Sequence, residues 1–142
     1  MAITRAQALS GTRKQREFFS DFVTSFKKTP AGDQLGRVIN KDSVNQSLRN
    51  LIKTNIGERL FQPLVGSDIY ALLFEHNTDE NLDLVRTYIE AVINNNEPRV
   101  NLLNVELITD FVNENRIEVN LTYNLINNPD PINLTILLKR VR

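Results

Sequence analysis

The triplet Glu97-Pro98-Arg99 constrains the fold most, because it separates a helical pattern from an alternating one. Proline has no backbone N–H and holds φ near about −65°, and it disfavours helical geometry at the residue before it. A helix that arrives from the amino-terminal side therefore ends at or before Glu97. The asparagines at 94–96 favour such an end, because asparagine tolerates the left-handed conformation that closes many helices.

The two charges of this corner allow two interpretations, both of which expect that Glu97 and Arg99 do not both point into a core. In the first, the corner is a helix end with a solvated ion pair, which contributes little to stability. In the second, the corner presents a carboxylate and a guanidinium fork to a partner.

Three helices are predicted before the corner. The first begins near Ser43, which has the capping-box spacing to Gln46; Asn40 and Asp42 are alternative caps. Gly57 would end it. A short second helix is predicted over 69–75. The third covers 79–95, where apolar residues recur with helical spacing and Thr78 or Asp79 can cap the first turn. The apolar face of this third helix consists of Leu82, Val85, Tyr88, Ile89, Val92 and Ile93.

The loop 57–66 between the first two helices mixes glycine and proline with large apolar residues. We expect Phe61 and Leu64 to pin it to the core.

Three alternating segments follow the corner: 103–111, 117–125 and 132–138, separated by a turn at 113–115 and a loop at 127–131. Alternation indicates strands with one wet face. The sequence therefore predicts an α+β fold, with three helices packed on one face of a three-stranded antiparallel meander.

The amino-terminal part is less definite. Residues 1–17 are polar and basic, which predicts a flexible, extended arm before a single domain over 18–142. Residues 18–26 hold four of the seven phenylalanines and fit either a strand or a helical stripe. The extended form is favoured, because aromatic residues suit strands. Residues 27–36 are predicted to be a turn-rich connector.

The last predicted strand has functional interest, because pairing with the middle strand uses only one of its edges. A free edge invites strand addition by a partner. The alternative is that Lys139, Arg140 and Arg142 block such pairing, and the sequence alone leaves both open.

Composition argues against several functions. The chain has no cysteine, which excludes thiol catalysis and cysteine-based metal sites. Basic ends around an acidic middle do not form the continuous basic face of a nucleic-acid platform. Neither a signal peptide nor an apolar run of about 20 residues is present, so no membrane partner is expected.

Catalysis would depend on the single histidine or on carboxylates. His76 has no second histidine for a metal pair, and no phosphate loop, dinucleotide fingerprint or nucleophile elbow occurs. Glu58, Glu75 and Glu97 are the only acids beside apolar sequence, whereas glycosidases need two carboxylates facing one cleft. We expect no enzyme activity and no cofactor.

Four stretches together resemble the gene-product-25-like family of baseplate wedge and sheath-initiator proteins of contractile phage tails, which includes the type VI secretion subunit TssE. They are Gly57-Glu58-Arg59-Leu60-Phe61-Gln62-Pro63, Leu72-Leu73-Phe74-Glu75, Ile89-Glu90-Ala91-Val92 and Glu97-Pro98-Arg99. The resemblance covers about residues 18–140.

This resemblance implies a structural subunit of the virion tail baseplate that is assembled in the host cytoplasm, present in several copies in a ring and monomeric in isolation. Its implied partners are the larger wedge subunits, the tail sheath subunit, and tail tube and hub proteins. The implied wedge contacts are Arg59, Phe61, Pro63, Glu97, Pro98 and Arg99. The implied sheath-pairing edge is Ile132, Asn133, Leu134, Thr135, Ile136, Leu137 and Leu138.

Two other functions remain as alternatives. The same fold family resembles a bacterial anti-adaptor, which would make the chain a regulatory binding module with one partner. Some family members carry a lysozyme label, but this sequence does not show the carboxylate pair that a glycosidase requires.

Overall fold

The computed structural model describes residues 16–28, 35–73, 78–109 and 116–139. The predicted turn at 113–115, most of the amino-terminal arm, Phe111, Glu75, His76, Arg140 and Arg142 lie outside these residues. The elements in chain order are β1 (Ser20–Phe22), β2 (Arg37–Ile39), α1 (Lys41–Lys53), α2 (Ile69–Leu73), α3 (Asp79–Asn96), β3 (Val100–Thr109), β4 (Arg116–Leu125) and β5 (Asn128–Lys139).

The mixed helix and strand class with antiparallel pairing is confirmed, but the strands form two sheets instead of one. The larger sheet has the order β3-β4-β5, as the predicted meander does. A second sheet pairs β1 with β2, which was not predicted. β1 lies within 18–26, for which the extended form was favoured, but no strand was predicted over 37–39, because three residues are too few to show alternation.

The larger sheet has one face buried and one face wet, as alternation predicts. The buried residues on β4 and β5 are Ile117, Val119, Leu121, Tyr123, Leu125, Ile132, Leu134, Ile136 and Leu138. They share one core cluster with residues of all three helices. This cluster places the helices on a single face of the sheet.

Two details of the sheet differ from the prediction. Leu103, expected on the inner face, is 56% exposed because it forms a bulge between the pairs Leu102↔Tyr123 and Asn104↔Thr122. Residues 127–131 were expected to be a loop, but β5 already begins at Asn128. Its first part is irregular, because pairing shifts from Leu125↔Asn128 to Tyr123↔Ile132.

The three predicted helices exist, but α1 lacks the expected side-chain cap and ends at Lys53, before Gly57, where its end was predicted. Asn40, one of the alternative caps, precedes α1, but its side chain makes no capping hydrogen bond. The capping box is wrong, because the Gln46 amide instead binds the N-terminal segment at Phe22 O (2.7 Å). The Thr78 cap of α3 is confirmed, since its Oγ1 accepts from Asn81 N at 3.3 Å.

None of the helices within the described ranges is both long and apolar enough to cross a membrane.

Candidate functional site

The corner Glu97-Pro98-Arg99 ends α3 as predicted, with the Glu97 N–H donating to Ile93 O at 2.9 Å. Its charges are arranged differently from either interpretation. Glu97 is only 4% exposed, and Arg99 grips its carboxylate with Nε at 2.6 Å and with a second guanidinium nitrogen at 2.7 Å. The carboxylate is therefore withdrawn from solvent, whereas the Arg99 side chain stays 33% exposed and uses two of its N–H donors within the chain.

The corner also joins three parts of the fold. The Ser47 hydroxyl, from the middle of α1, donates to Glu97 Oε2 at 2.6 Å. On the other side, the Arg99 guanidinium lies over the ring of Phe19, 5.5 Å from its centre. The corner thus ties α1 and the segment before β1 to the junction of α3 and β3.

These contacts set the protonation of the pair. Burial alone raises the pKa of Glu97, but the hydrogen bonds from Arg99 and Ser47 outweigh burial and hold that pKa below its ordinary 4.5. The hydrogen bond to Glu97 raises the pKa of Arg99. The Glu97 carboxylate is a stable anion, so it serves as a hydrogen-bond acceptor that supports the fold rather than as a proton donor.

Residues 57–66, named here the apolar loop, show the opposite arrangement. Leu60 is 92% exposed, Phe61 96% and Leu64 85%. The expectation that Phe61 and Leu64 pin this loop to the core is wrong. Three large apolar side chains exposed within one short loop are typical of a surface that another molecule covers.

Hydrogen bonds give the apolar loop a defined shape despite this exposure. Gly57 N donates to Pro63 O at 2.8 Å, which brings the two sides of the loop together, and Gln62 N donates to Arg59 O at 3.3 Å. The Glu58 carboxylate accepts from Asn55 N and Nδ2 at 3.0 and 2.9 Å. The loop closes at Gly66, where a Cβ would lie 2.8 Å from Thr54 O. A side chain does not fit there, so the apolar residues are displayed on a fixed frame.

The outer edge of β5 pairs with no other strand in the parts of the chain that the structure describes. From Ile132 to Lys139 its pairing with β4 is regular. Its wet face carries Asn133, Thr135 and Leu137, all exposed. The opposite edge of the sheet belongs to β3, which is interrupted by the Leu103 bulge.

The predicted contact residues fall into three places. Glu97, Pro98 and Arg99 cluster at the corner, whereas Arg59, Phe61 and Pro63 lie in the apolar loop beyond the carboxyl end of α1. Ser47, the residue of α1 that contacts the corner, lies six residues before the end of that helix. The corner and the apolar loop therefore meet α1 about 9 Å apart along its axis. The edge residues 132–138 are on the far strand of the sheet.

Sequence reasoning missed three residues that build this arrangement. Ser47 and Phe19 carry no sequence signal for their contacts. Asn40 was considered only as a cap, yet its side chain accepts from Phe18 N at 2.8 Å and donates to Arg16 O at 2.9 Å. Its φ of 48° is rare for a residue other than glycine. An asparagine before a helix is the one signal that could have suggested it.

Within the described ranges, no group of three or more His, Asp or Glu side chains is placed to hold a metal ion.

Comparisons with known proteins agree with one another. The family described as baseplate wedge protein gp25 matches residues 39–130. Baseplate wedge protein gp25 of Enterobacteria phage T4 is 34% identical over 98 residues, which are 69% of this chain and 74% of the phage protein.

Two solved structures have a similar fold at 22% sequence identity. One is from Geobacter sulfurreducens and is described as a tail lysozyme. Its TM-score is 0.67, and the matched region spans 72% of this chain and 92% of the Geobacter chain. The other, from the cryo-EM structure of the anti-feeding prophage baseplate, has a TM-score of 0.61 and covers 87% of both chains.

Proposed function

This chain belongs to the family of baseplate wedge protein gp25, and on that premise we propose that it is a structural baseplate subunit of a contractile tail or related injection system. In this proposal it docks on larger wedge subunits through the apolar loop and starts the sheath by accepting a strand at β5.

The observation that carries the sheath function is the regular outer edge of β5 from Ile132 to Lys139. An unpaired edge presents backbone N–H and C=O groups to an incoming strand. The inner residues Leu134, Ile136 and Leu138 are buried to 4% exposure or less, so the helix layer holds the strand in one register. A slip by one residue would expose them.

This fixed register makes β5 a template. An arriving segment of the sheath subunit pairs with a strand that is already ordered, so it bears only its own ordering cost. Several copies in a ring would then set the symmetry of the first sheath layer. The β3 edge is a poorer template, because a bulge disturbs its pairing pattern.

Docking on the larger wedge subunits is assigned to the apolar loop, with Phe61 at its centre and Arg59 and Pro63 beside it. Large aromatic side chains dominate many protein interfaces. The corner contributes a frame, because the charges of Glu97 and Arg99 are satisfied inside the chain. Tail tube and hub proteins are further neighbours that the family resemblance implies.

We assign no catalytic step to this chain. A glycosidase needs one carboxylic acid with a raised pKa opposite a second carboxylate. The buried Glu97 has a lowered pKa and is bound by Arg99. The Glu58 carboxylate accepts hydrogen bonds from Asn55, two residues before the apolar loop begins. The absence of peptidoglycan clearing in a turbidity assay is the expected result.

The sheath function is tested by mixing the purified chain with its sheath subunit and counting sheath-like rings by electron microscopy. The double variant Thr135→Lys/Leu137→Lys places charges beside the β5 edge on the wet face and should strongly reduce ring formation. The matched control, Leu103→Lys/Ile108→Lys, adds the same charges along β3 and should assemble normally. Equal assembly by both double variants would remove the template role from β5.

A further inference from the structure

A cavity of about 300 Å³ lies at the start of the regular β5 edge. It is formed where the segment before β1 and the first residue of α1 approach the turn between β4 and β5. Its lining includes Arg16, Lys41, Asn128 and Ile132. None of the described residues that line it is acidic, so the cavity carries two formal positive charges.

Both cations of the cavity are available to a ligand. Neither Arg16 nor Lys41 forms an ion pair with an acidic residue in the described ranges. The Arg16 guanidinium lies 6.0 Å from the centre of the Phe18 ring, a contact that occupies none of its N–H donors.

The backbone of Arg16 is held by Asn40. Asn40 Nδ2 donates to Arg16 O at 2.9 Å, and Asn40 Oδ1 accepts from Phe18 N at 2.8 Å. Asn40 holds these contacts in an uncommon backbone conformation, with φ 48° and ψ −115°. Strain of this kind persists only where the surroundings determine it. Asn40 therefore holds the backbone of Arg16 beside the cavity and directly precedes Lys41, the second cation that lines it.

The geometry of β5 determines what reaches this cavity. Pro129 and Pro131 have no backbone N–H, and the pairing of β5 is irregular before Ile132. Regular strand addition therefore ends opposite Ile132. An added strand that continues the antiparallel order runs against β5, so its carboxyl end arrives at Ile132, within about 5 Å of β5.

Directly opposed residues of neighbouring strands share one face of a sheet. The residue opposite Ile132 consequently faces the same side as Ile132, and Ile132 lines the cavity. We infer that this cavity binds an aspartate or glutamate side chain at the carboxyl end of the strand that a partner adds to β5. Its pairing with Arg16 and Lys41 fixes the direction and register of that strand.

This inference rests on the proposed strand addition, and nuclear magnetic resonance can separate the two. The probe is a short amidated peptide that alternates valine and threonine, with glutamate at its last inward position; the matched peptide has glutamine there. Amide shifts at 132–138 report pairing with β5, whereas the Arg16 Nε–H shift reports the cavity. We expect the glutamate peptide to bind at least about tenfold more tightly, and only this peptide to shift Arg16 Nε–H.

The double variant Arg16→Gln/Lys41→Gln should abolish the difference between the peptides and leave the binding of the glutamine peptide unchanged. The charge-matched control Lys27→Gln/Lys53→Gln should keep the difference. Equal binding of both peptides to the wild-type protein, with shifts at 132–138, would overturn the cavity assignment and leave strand addition standing. No shift at 132–138 with either peptide would overturn strand addition itself.

A third peptide, with glutamine at the inward position and a free terminal carboxylate, tests the source of the charge. It should bind no more tightly than its amidated form. A preference for the free terminus over the glutamate side chain would overturn the assignment to a side chain.

Discussion

The corner 97–99 and the apolar loop 57–66 have the opposite burial to the one that their residue types normally show. The corner carries a carboxylate, and Glu97 is 4% exposed. The loop carries leucine and phenylalanine, and Phe61 is 96% exposed. Charged residues are rarely buried unless they are paired, and apolar clusters are rarely displayed without a function.

The difference lies in which partner each region has. Glu97 has its partners within the chain, since Arg99 and Ser47 together make three hydrogen bonds to it. The apolar loop has internal hydrogen bonds for its backbone, but its largest side chains are at least 85% exposed in the described part of the chain. The charge of Glu97 is therefore satisfied within the subunit, whereas in the proposed docking the apolar side chains of the loop are covered by a partner.

The largest expected effect that would test this contrast comes from Arg99→Ala. The substitution leaves a buried carboxylate without its main partner, and breaking a buried pair in this way costs about 3 kcal/mol or more. The free energy of unfolding, measured with urea, should fall by that amount. Phe61→Ala should change it by less than about 0.5 kcal/mol, as is usual for exposed positions.

An Arg99→Ala protein as stable as the wild type would show that the corner does not support the fold. In that case the charges of Glu97 and Arg99 would again be candidates for contact with a partner.

The next effect concerns docking on the larger wedge subunits. Phe61→Ser should weaken the affinity by about 2 kcal/mol, roughly thirtyfold, because a central aromatic residue is lost from the contact. Its stability should stay close to that of the wild type. Leu84→Ser removes a half-exposed leucine from α3 and serves as the control. Titration calorimetry measures both, and equal affinities for the two variants would exclude the apolar loop from the interface.

The smallest effect is the pH dependence of the corner. The pKa of Glu97 is lowered in the folded protein, so its contribution to stability is present above the unfolded value near 4.5 and is lost as pH falls through the folded value. Stability should therefore decline below about pH 4.5, with a slope of at most about 1.4 kcal/mol per pH unit from this group. In Glu97→Gln this part of the slope should be absent. Identical slopes in acid for both proteins would mean that Glu97 does not titrate abnormally.

Much of the fold follows from local pattern. The end of α3 at the corner, the Thr78 cap and the meander from β3 to β5 are visible in the spacing of residues. The bulge at Leu103 is not, because a leucine in an alternating run has the same signal whether it is paired or bulged. The β1–β2 sheet was missed because each strand has only three residues and pairs across a segment of the chain.

The candidate site was predictable only in part, since the residues at the corner and in the apolar loop were identified but their environments were reversed. Burial depends on what packs against a residue from distant positions. Ser47 is 50 residues from Glu97 in sequence, and no local sequence pattern near either residue predicts the contact. No pattern within 57–66 distinguishes an apolar loop that folds inward from one that is held outward by its own hydrogen bonds.

The sequence by itself determined the order of the three helices and of the three strands of the larger sheet, the wet and dry faces of that sheet and the family to which the chain belongs. These depend on periodicity, on proline and on motifs, which are properties of neighbouring residues. Only the tertiary structure decided that the Glu97 carboxylate is buried against Arg99, that the apolar loop is exposed and that Arg16 and Lys41 line one cavity with Ile132 of β5. Each of these depends on contacts between segments far apart in sequence, where the balance of desolvation and hydrogen bonding is set by three-dimensional packing.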